Sequence, residues 1–574
     1  MWFKFLSFFC LFSFTVKTTD AQTVSGPRGE QFTARVVAQG LSDPWEITYG
    51  PDNFLWVTEA KGYRVNRINP ENGTITTLLD LSKEKNFPRY DKMPEEASGG
   101  KPWPQGGLMG LALHPQLLTG KPYVYLVYVY DFDGAAAEGD GCAPNYGGCV
   151  FTTKLVRYEY NARQQTLSKP LVLTDTIPGS DDHNAGRLLV APVDGKDYLF
   201  YTVGDMGAGQ FDNAGRENFA QRTDKYEGKV LRFNLEPDND TSTYDKWIPG
   251  DNPFNAARQS AVWSYGHRNA QGLAYAVVGN TGNLYTAEHG PFGDDEINII
   301  RKGKNYGHPL VIGYNDGNYN GLAAGVTAHS SLPGKWNTMY PYIETEEANV
   351  KAIGTENYQG PVHSFYPTSN TFLRSVLTRA RQDEEEKPEW PALAPSSIAV
   401  YTASAIPGWQ NSLLITSLTE GRLVRLKLNT TGSGLTGDTL TYFKAPARYR
   451  DIAISPDGRS IYLAIDSAEV SSGPSEEKED DGDSQEQQSQ CSGCIIAYTY
   501  QADANTMNQE SLVQELRNRV QRMNRKKQRA VRAKLAPAQK AAFQLLLKPE
   551  LTEKEKAQVQ QYASGLLEVV KQVE

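Results

Sequence analysis

The chain has 574 residues, and its 58 Lys+Arg against 67 Asp+Glu give a formal charge of −9. A nucleic-acid coat protein needs a basic excess, so that class is set aside and no nucleic acid is expected as a partner. Its 51 Gly and 32 Pro are too few for a collagen-like or wholly disordered chain, and 31 Tyr beside 21 Phe and 9 Trp favour pleated, half-exposed sheet over helical bundles.

The N-terminus reads Met-Trp-Phe-Lys, an apolar run from Phe5 to Val16, then a polar stretch to Ala21. That is the pattern of a secretory signal peptide over residues 1–21, too short for the roughly 20 apolar residues of a membrane span. The expected mature protein is soluble and secreted or periplasmic. Removal of Cys10 leaves Cys142, Cys149, Cys491 and Cys494. Two local disulfides are the simplest pairing in an oxidising compartment, with a four-thiolate zinc site as the alternative.

From Trp45 a hairpin phrase recurs. It reads WEITYGPDNFLWVTE at Trp45, GLMGLALHP then YVYLVYVY from Gly107, RLLVAPVDGKDYLFYTVGD at Arg187 and QGLAYAVVGNTGNLYTAEHG at Gln271. It returns as SSIAVYTASAIPGWQNSLLITSL at Ser396 and YRDIAISPDGRSIYLAID at Tyr449. Gly and Asn at the turns accept the positive φ that closes a hairpin. One four-stranded sheet cannot bury both of its faces, whereas a ring of such sheets can, so the repeat predicts an all-β, six-bladed β-propeller over residues 30–500.

Residues 467–490 are Ser, Gln, Glu and Asp with almost no apolar side chains, which predicts an acidic low-complexity loop interrupting the last hairpin. From 505 to 574 the period becomes helical, giving a C-terminal α-helical extension. Pro537 is placed to open one helix and Thr552 to cap another. Nine Lys or Arg lie between Arg517 and Lys534. A solvated helical face accounts for them more simply than an anionic partner.

Three of the seven histidines sit in polar strings: SDDHNAGRL at His183, SYGHRNAQGL at His267 and AEHGPFGDDEIN at His289. Loops at one mouth of a propeller converge on its axis. There, a carboxylate such as Asp205 could orient one nitrogen of His183 and leave the other to accept a proton. Arg268 and Asn269 pair a permanent cation with an amide donor. Arg448 and Arg450 alternate in RYRD and share a face suited to carboxylates. Gly290-Pro291 ahead of Asp294, Asp295 and Glu296, and the turn GYNDGNYNG from Gly313, offer the hard oxygen ligands that calcium prefers.

Together DHxxGRL (Asp182 to Leu188), GHRNxQGLA (Gly266 to Ala274), GPxxDDEIN (Gly290 to Asn298), NYGxP (Asn305 to Pro309) and RYRD (Arg448 to Asp451) resemble the pyrroloquinoline quinone (PQQ)-dependent dehydrogenases of the glucose/sorbosone dehydrogenase family, from about Trp45 to Tyr500. The resemblance implies a calcium-bound PQQ in the axial funnel and oxidation of an aldose at C1 to its lactone. His183 would be the base, held by Asp205. Arg268 would stabilise charge on the cofactor, which Asn269, His289, Asp295, Thr419, Arg448 and Arg450 would also contact. The carbonyls of Gly290 and Pro291 would bind the catalytic calcium, and Ile312, Tyr314 and Asp316 a second, structural one. Gln105, Asp182 and Gln210 would meet the sugar hydroxyls.

The implied partners are a small sugar and an electron acceptor, either a cytochrome or a soluble mediator, with a homodimer left open. Two positions depart from the family: SLTEG puts Thr419 and Glu420 where a lysine is usual, and His289 stands where the family has Gln. The family's disulfide near the substrate loop also has no counterpart. A calcium-dependent propeller lactonase and a non-catalytic sugar-binding propeller are the competing functions.

Overall fold

The structure, a computed structural model, describes residues 22–84, 106–133, 150–180, 182–209, 215–238, 245–325, 339–382, 390–419, 421–466, 491–501, 513–514, 516–548, 551–571 and 573. The expected signal peptide (1–21), the expected acidic loop (467–490), Cys142 and Cys149 lie outside them. Six antiparallel sheets form a ring. Blade one holds Pro44–Tyr49, Leu55–Glu59, Arg64–Ile68 and Ile75–Asp80. The next four blades begin at strands Leu108–Leu113, Ala185–Val193, Ala270–Val278 and Pro395–Tyr401. The sixth is five-stranded and runs from Tyr449–Ile454 through Ser460–Ile465 and Cys494–Gln501 to Gln31–Gln39 and Gln22–Ser25, so two early strands complete a sheet begun more than 400 residues later.

The six hairpin phrases fall on the two innermost strands of the six blades. Each innermost strand packs on its neighbours on either side, and the ring closes from Tyr449–Ile454 back to Pro44–Tyr49. Strands such as Leu55–Glu59 and Lys229–Asn234 are buried along their whole length, because adjacent blades cover both faces. Cys491 and Cys494 are a close pair with their sulfurs at bonding distance, as expected of a local disulfide.

The tyrosines depart from the half-exposed surface expected of them. Tyr63, Tyr125, Tyr285 and Tyr401 are fully buried between blades. Their hydroxyls donate to main-chain carbonyls of the next blade: Tyr63 to Val129 at 3.1 Å, Tyr125 to Leu235 at 2.9 Å, Tyr285 to Gly432 at 2.7 Å and Tyr401 to Gly458 at 2.8 Å. Each ring fills an interblade gap, and its hydroxyl satisfies an edge carbonyl that would otherwise be stranded without water.

Two compact units divide the chain, one including 33–499 and the other including 500–574. The second holds helices Arg525–Lys534, Pro537–Leu545, Glu553–Gln560 and Ala563–Lys571 around Val531, Phe543, Leu546, Val559 and Leu566. Pro537 occupies the first helical position, and Thr552 caps the third helix with Glu555 closing a capping box. No helix among the described residues is long and apolar enough to cross a membrane.

Candidate functional site

All six innermost strands begin at the same mouth of the ring, so residues just before them are brought together there. His183 precedes Ala185–Val193, Arg268 and Asn269 precede Ala270–Val278, and Arg448 and Arg450 flank the start of Tyr449–Ile454. Gly204 lies where two of these loops meet: a Cβ there would come within 1.8 Å of the His183 carbonyl oxygen and 3.3 Å of that of Arg268. Only glycine permits that approach. His183 itself has φ 50°, a left-handed conformation uncommon outside glycine and one that functional sites tend to hold.

The imidazole of His183 meets Asp205 through Nδ1 and Oδ1 at 2.7 Å, and both residues are buried. Asp205 Oδ1 also accepts from Gly207 N at 3.0 Å, and Oδ2 accepts from Asn218 Nδ2 at 3.0 Å and meets His308 Nε2 at 2.9 Å. Burial alone would raise the Asp205 carboxyl. The electrostatic attraction and hydrogen bond of the His183 ring, then the hydrogen bond of His308, outweigh burial and hold it well below the ordinary carboxylate range. An ionised Asp205 accepts from Nδ1–H and so orients the ring, whose Nε2 lies 3.9 Å from Asp182 Oδ1.

The main chain locks these loops together. Asp205 N donates to Arg268 O at 2.7 Å, and Ala185 N donates to the Asn269 side-chain oxygen at 3.1 Å. Behind Arg268, Glu288 accepts from the Arg268 backbone N–H and is held in turn by His267 Nδ1 at 3.0 Å, with Ser264 Oγ 2.9 Å from His267 Nε2. Arg268 Nη1 donates to His289 O at 3.3 Å, and with the Asp205–Arg268 main-chain bond and the reach of Arg450 to Gln271 this brings loops of three blades to one opening. Burial, reinforced by the Arg268 charge, holds His289 well below the ordinary imidazole range. It is therefore neutral, and it does not replace the charge of the missing family lysine.

Arg448 and Arg450 share one carboxylate. Asp466 Oδ1 takes Arg448 Nε at 3.0 Å, and Oδ2 takes Arg450 Nε at 3.0 Å and Nη2 at 2.6 Å. Arg450 Nη1 donates to Gln271 Oε1 at 2.9 Å. Thr419 is exposed, and its hydroxyl donates to the carbonyls of Ala392 at 2.9 Å and Leu393 at 3.2 Å. The carboxylate of Asp295 is fully engaged by backbone N–H groups: Gly290 at 2.9 Å, Leu393 at 2.6 Å and Ala394 at 3.0 Å. Gln105, Gln210 and Glu420 lie outside the described residues.

Several features fit an anionic, oxygen-rich cofactor with a calcium ion. Among the described residues, Asn269 Nδ2 and His289 Nε2 are buried without a hydrogen-bond partner. Two guanidinium groups share the single carboxylate of Asp466. The carbonyl oxygens of Gly290 and Pro291 accept no hydrogen bond from the described residues, which leaves hard oxygens of the kind calcium takes.

At the Ile312, Tyr314 and Asp316 turn, the Glu346 carboxylate accepts from Ile312 N at 3.1 Å and Gly317 N at 2.8 Å. Burial pushes Glu346 up to about 7 and neighbouring Asp294 up to about 6. Among the described residues no three His, Cys, Asp or Glu side chains form a metal cage, so main-chain carbonyls would have to supply much of any ligand set here.

Sequence reasoning did not single out His308, Asn218, Asp466, Glu288 or Glu346. His308 was visible only as the variable residue of NYGxP. Asp466 ends the last repeat, YLAID, on the strand adjacent to RYRD, and that adjacency was the available signal.

The family model described as "Glucose / Sorbosone dehydrogenase" matches residues 41–361 and 349–471. The chain is 34% identical over 495 residues to quinoprotein glucose dehydrogenase B of Acinetobacter calcoaceticus, covering 83% of this chain and 92% of that protein. It is 28% identical over 437 residues to the aldose sugar dehydrogenase YliI of Escherichia coli, covering 75% of this chain and 90% of that one. The fold matches the crystal structure of the soluble aldose sugar dehydrogenase of E. coli in its apo form with TM-score 0.51 at 22% identity, over 82% of this chain and 100% of the other. With the repeat, the ring and the converging loops all in agreement, the chain belongs to the glucose/sorbosone dehydrogenase family.

Proposed function

We propose that this protein is an exported, calcium- and PQQ-dependent dehydrogenase that oxidises an aldose at C1 to its lactone and passes electrons to a cytochrome or soluble mediator. The observation that carries this is the buried His183–Asp205 pair at the same opening as Arg268, His289 and Arg450. When bound, PQQ would supply a two-electron acceptor and calcium a Lewis acid.

The rest of the chemistry belongs to the chain. Oxidation of a C1–OH to a carbonyl removes a hydride and a proton, and His183 Nε2 is the group placed to take the proton. Asp205 fixes the imidazole tautomer and stabilises the imidazolium that forms. Asp182, beside Nε2, is placed to accept a sugar hydroxyl, and Gln105 and Gln210 are assigned to the same role. Arg268, Asn269, His289, Arg448 and Arg450 would hold the cofactor's oxygens and carboxylates, with Asp295 and Thr419 bracing the adjoining loops. Gly290 and Pro291 would hold the catalytic calcium, and Ile312, Tyr314 and Asp316 a structural one.

The test is an absorption spectrum of the full chain with PQQ and calcium, before and after addition of a panel of aldoses. Reduction of the bound quinone by one of the sugars supports the proposal. Lactone hydrolysis without quinone, or sugar binding that never bleaches the spectrum, defeats it.

A further inference from the structure

We propose that His308 is a positioning residue that sets the basicity of His183 through Asp205, so that the base consists of two imidazoles clasping one carboxylate. The inference rests on the role proposed above for His183. His308 belongs to the segment between Asp295–Ile300 and His363–Phe365, far in sequence from both partners, yet its Nε2 lies 2.9 Å from Asp205 Oδ2 while His183 Nδ1 lies 2.7 Å from Oδ1.

The ring is fixed from several sides. His308 N donates to Gly266 O at 3.0 Å, Gln221 Nε2 donates to His308 O at 2.7 Å, and Tyr340 packs edge-on with ring centroids 6.0 Å apart.

The tautomer follows from the surroundings. Among the described residues Nδ1 of His308 is buried with no partner. A proton there would be stranded, and Nε2 would set a lone pair against a carboxylate oxygen. The proton therefore sits on Nε2 and is donated to Asp205. The 3.2 Å approach of Asn218 Nδ2 to His308 Nε2 is then packing, since Asn218 donates to Asp205 Oδ2 and to Ala208 O. Burial holds His308 below the ordinary imidazole range, so it donates as a neutral group.

A carboxylate that donates electron density to several N–H groups stabilises each of them less. Asp205 accepts from His183, His308, Asn218 and Gly207, and every donor beyond His183 weakens its hold on the His183 imidazolium. The other groups facing the cluster are Arg268 and Glu288 toward His308, Asp182 and His289 toward His183, the ring of Tyr340, and Arg216, which donates to Met206 O at 3.0 Å. Among the described residues none of these groups donates to Oδ2, which is met by His308 Nε2 and Asn218 Nδ2. Loss of the His308 donor should therefore raise the pH at which His183 takes its proton.

The experiment is a pH titration of the seven histidines by ¹⁵N imidazole NMR on the full chain, paired with the pH profile of kcat/KM for sugar oxidation in the PQQ- and calcium-loaded protein. In the native protein His308 should show the Nε2–H tautomer; the Nδ1–H tautomer overturns the proposal without any substitution. In His308→Phe, the His183 midpoint and the acid limb of kcat/KM should both move up by about half a unit to one unit. His308→Gln, which keeps a donor, should hold both near their native values. An unmoved midpoint in folded His308→Phe, or equal shifts in both variants, overturns it. The NMR midpoint needs no turnover, so a failure of the sugar-oxidation proposal shows as absent activity with the imidazole signals intact.

Discussion

Two clusters of charge lie along the axis of the ring, and they are built to opposite ends. At the floor, Arg187 is nearly inaccessible, and every direction of its guanidinium is used: Nη1 to Glu46 at 2.6 Å and Asp451 at 3.0 Å, Nε to Gln271 O at 2.9 Å, and Nη2 to Ser396 O at 3.1 Å. Beyond that plug a 720 Å³ cavity, lined by residues such as Leu113, Val190 and Ile454, opens toward the other mouth. At the site mouth, Asn269 Nδ2 and His289 Nε2 are buried with no partner among the described residues, and Arg448 and Arg450 divide one carboxylate. A satisfied buried network specifies structure, whereas unmatched buried polar atoms mark where a ligand completes the set.

The largest break of this contrast is His183→Gln. It should lower kcat by ~10³-fold, equal to about 4 kcal/mol of barrier, with Tm nearly unchanged, as single-turnover kinetics and calorimetry would show. Arg187→Met should do the reverse. It leaves Asp451 without its counter-ion and the buried Glu46 without its charged donor, at a cost of about 3 kcal/mol or more of stability, read as a fall in denaturant midpoint. Equal loss of activity and stability in both variants would erase the distinction between mouth and floor.

A third, smaller effect is pH-dependent. Burial pushes Glu46 up to about 8 from an ordinary 4.5, despite Arg187. The folded state therefore keeps a proton that the unfolded chain releases, and this contribution to stability is complete below about 4.5 and is lost as pH rises through about 8. At about 1.4 kcal/mol per unit for one proton, stability should fall by ~2 kcal/mol between pH 6 and 7.5. Glu46→Gln should flatten that slope in denaturation curves taken across the range.

The ring was legible in the sequence because its signal is local and repeated: turn residues and alternation mark each hairpin where it stands. Closure was not, since nothing within Gln31–Gln39 says that its partner is Cys494–Gln501. The site divides in the same way. His183, Arg268 and Arg450 sit in distinctive strings at strand starts, and the direction common to all six inner strands brings them together. Asp466, His308 and Glu346 act through partners 16 to 103 residues away, so only the register of neighbouring strands and the path of the long segment after Ile300 place them. The buried tyrosines were misjudged because composition reports a preference for sheet and carries no information on which faces a neighbouring blade covers.

Thr419 gives the smallest and most specific test of the mouth. Its hydroxyl bonds to the carbonyls of Ala392 and Leu393, so it ties down the chain leading into strand Pro395–Tyr401 and contributes no charge. Thr419→Lys would give up those bonds, at about 1 kcal/mol of stability. It would also set an ammonium beside the opening that holds Arg268 and Arg450. A charged hydrogen bond to a cofactor carboxylate contributes roughly 1.5 kcal/mol or more, so PQQ should bind about tenfold tighter, with a Kd that becomes more salt-dependent. Equilibrium dialysis of PQQ against both proteins, with calcium constant, measures it directly. If the affinity is unchanged while Tm falls, the cofactor does not approach the Thr419 side of the mouth, and the anion site is carried by Arg448, Arg450 and Arg268 alone.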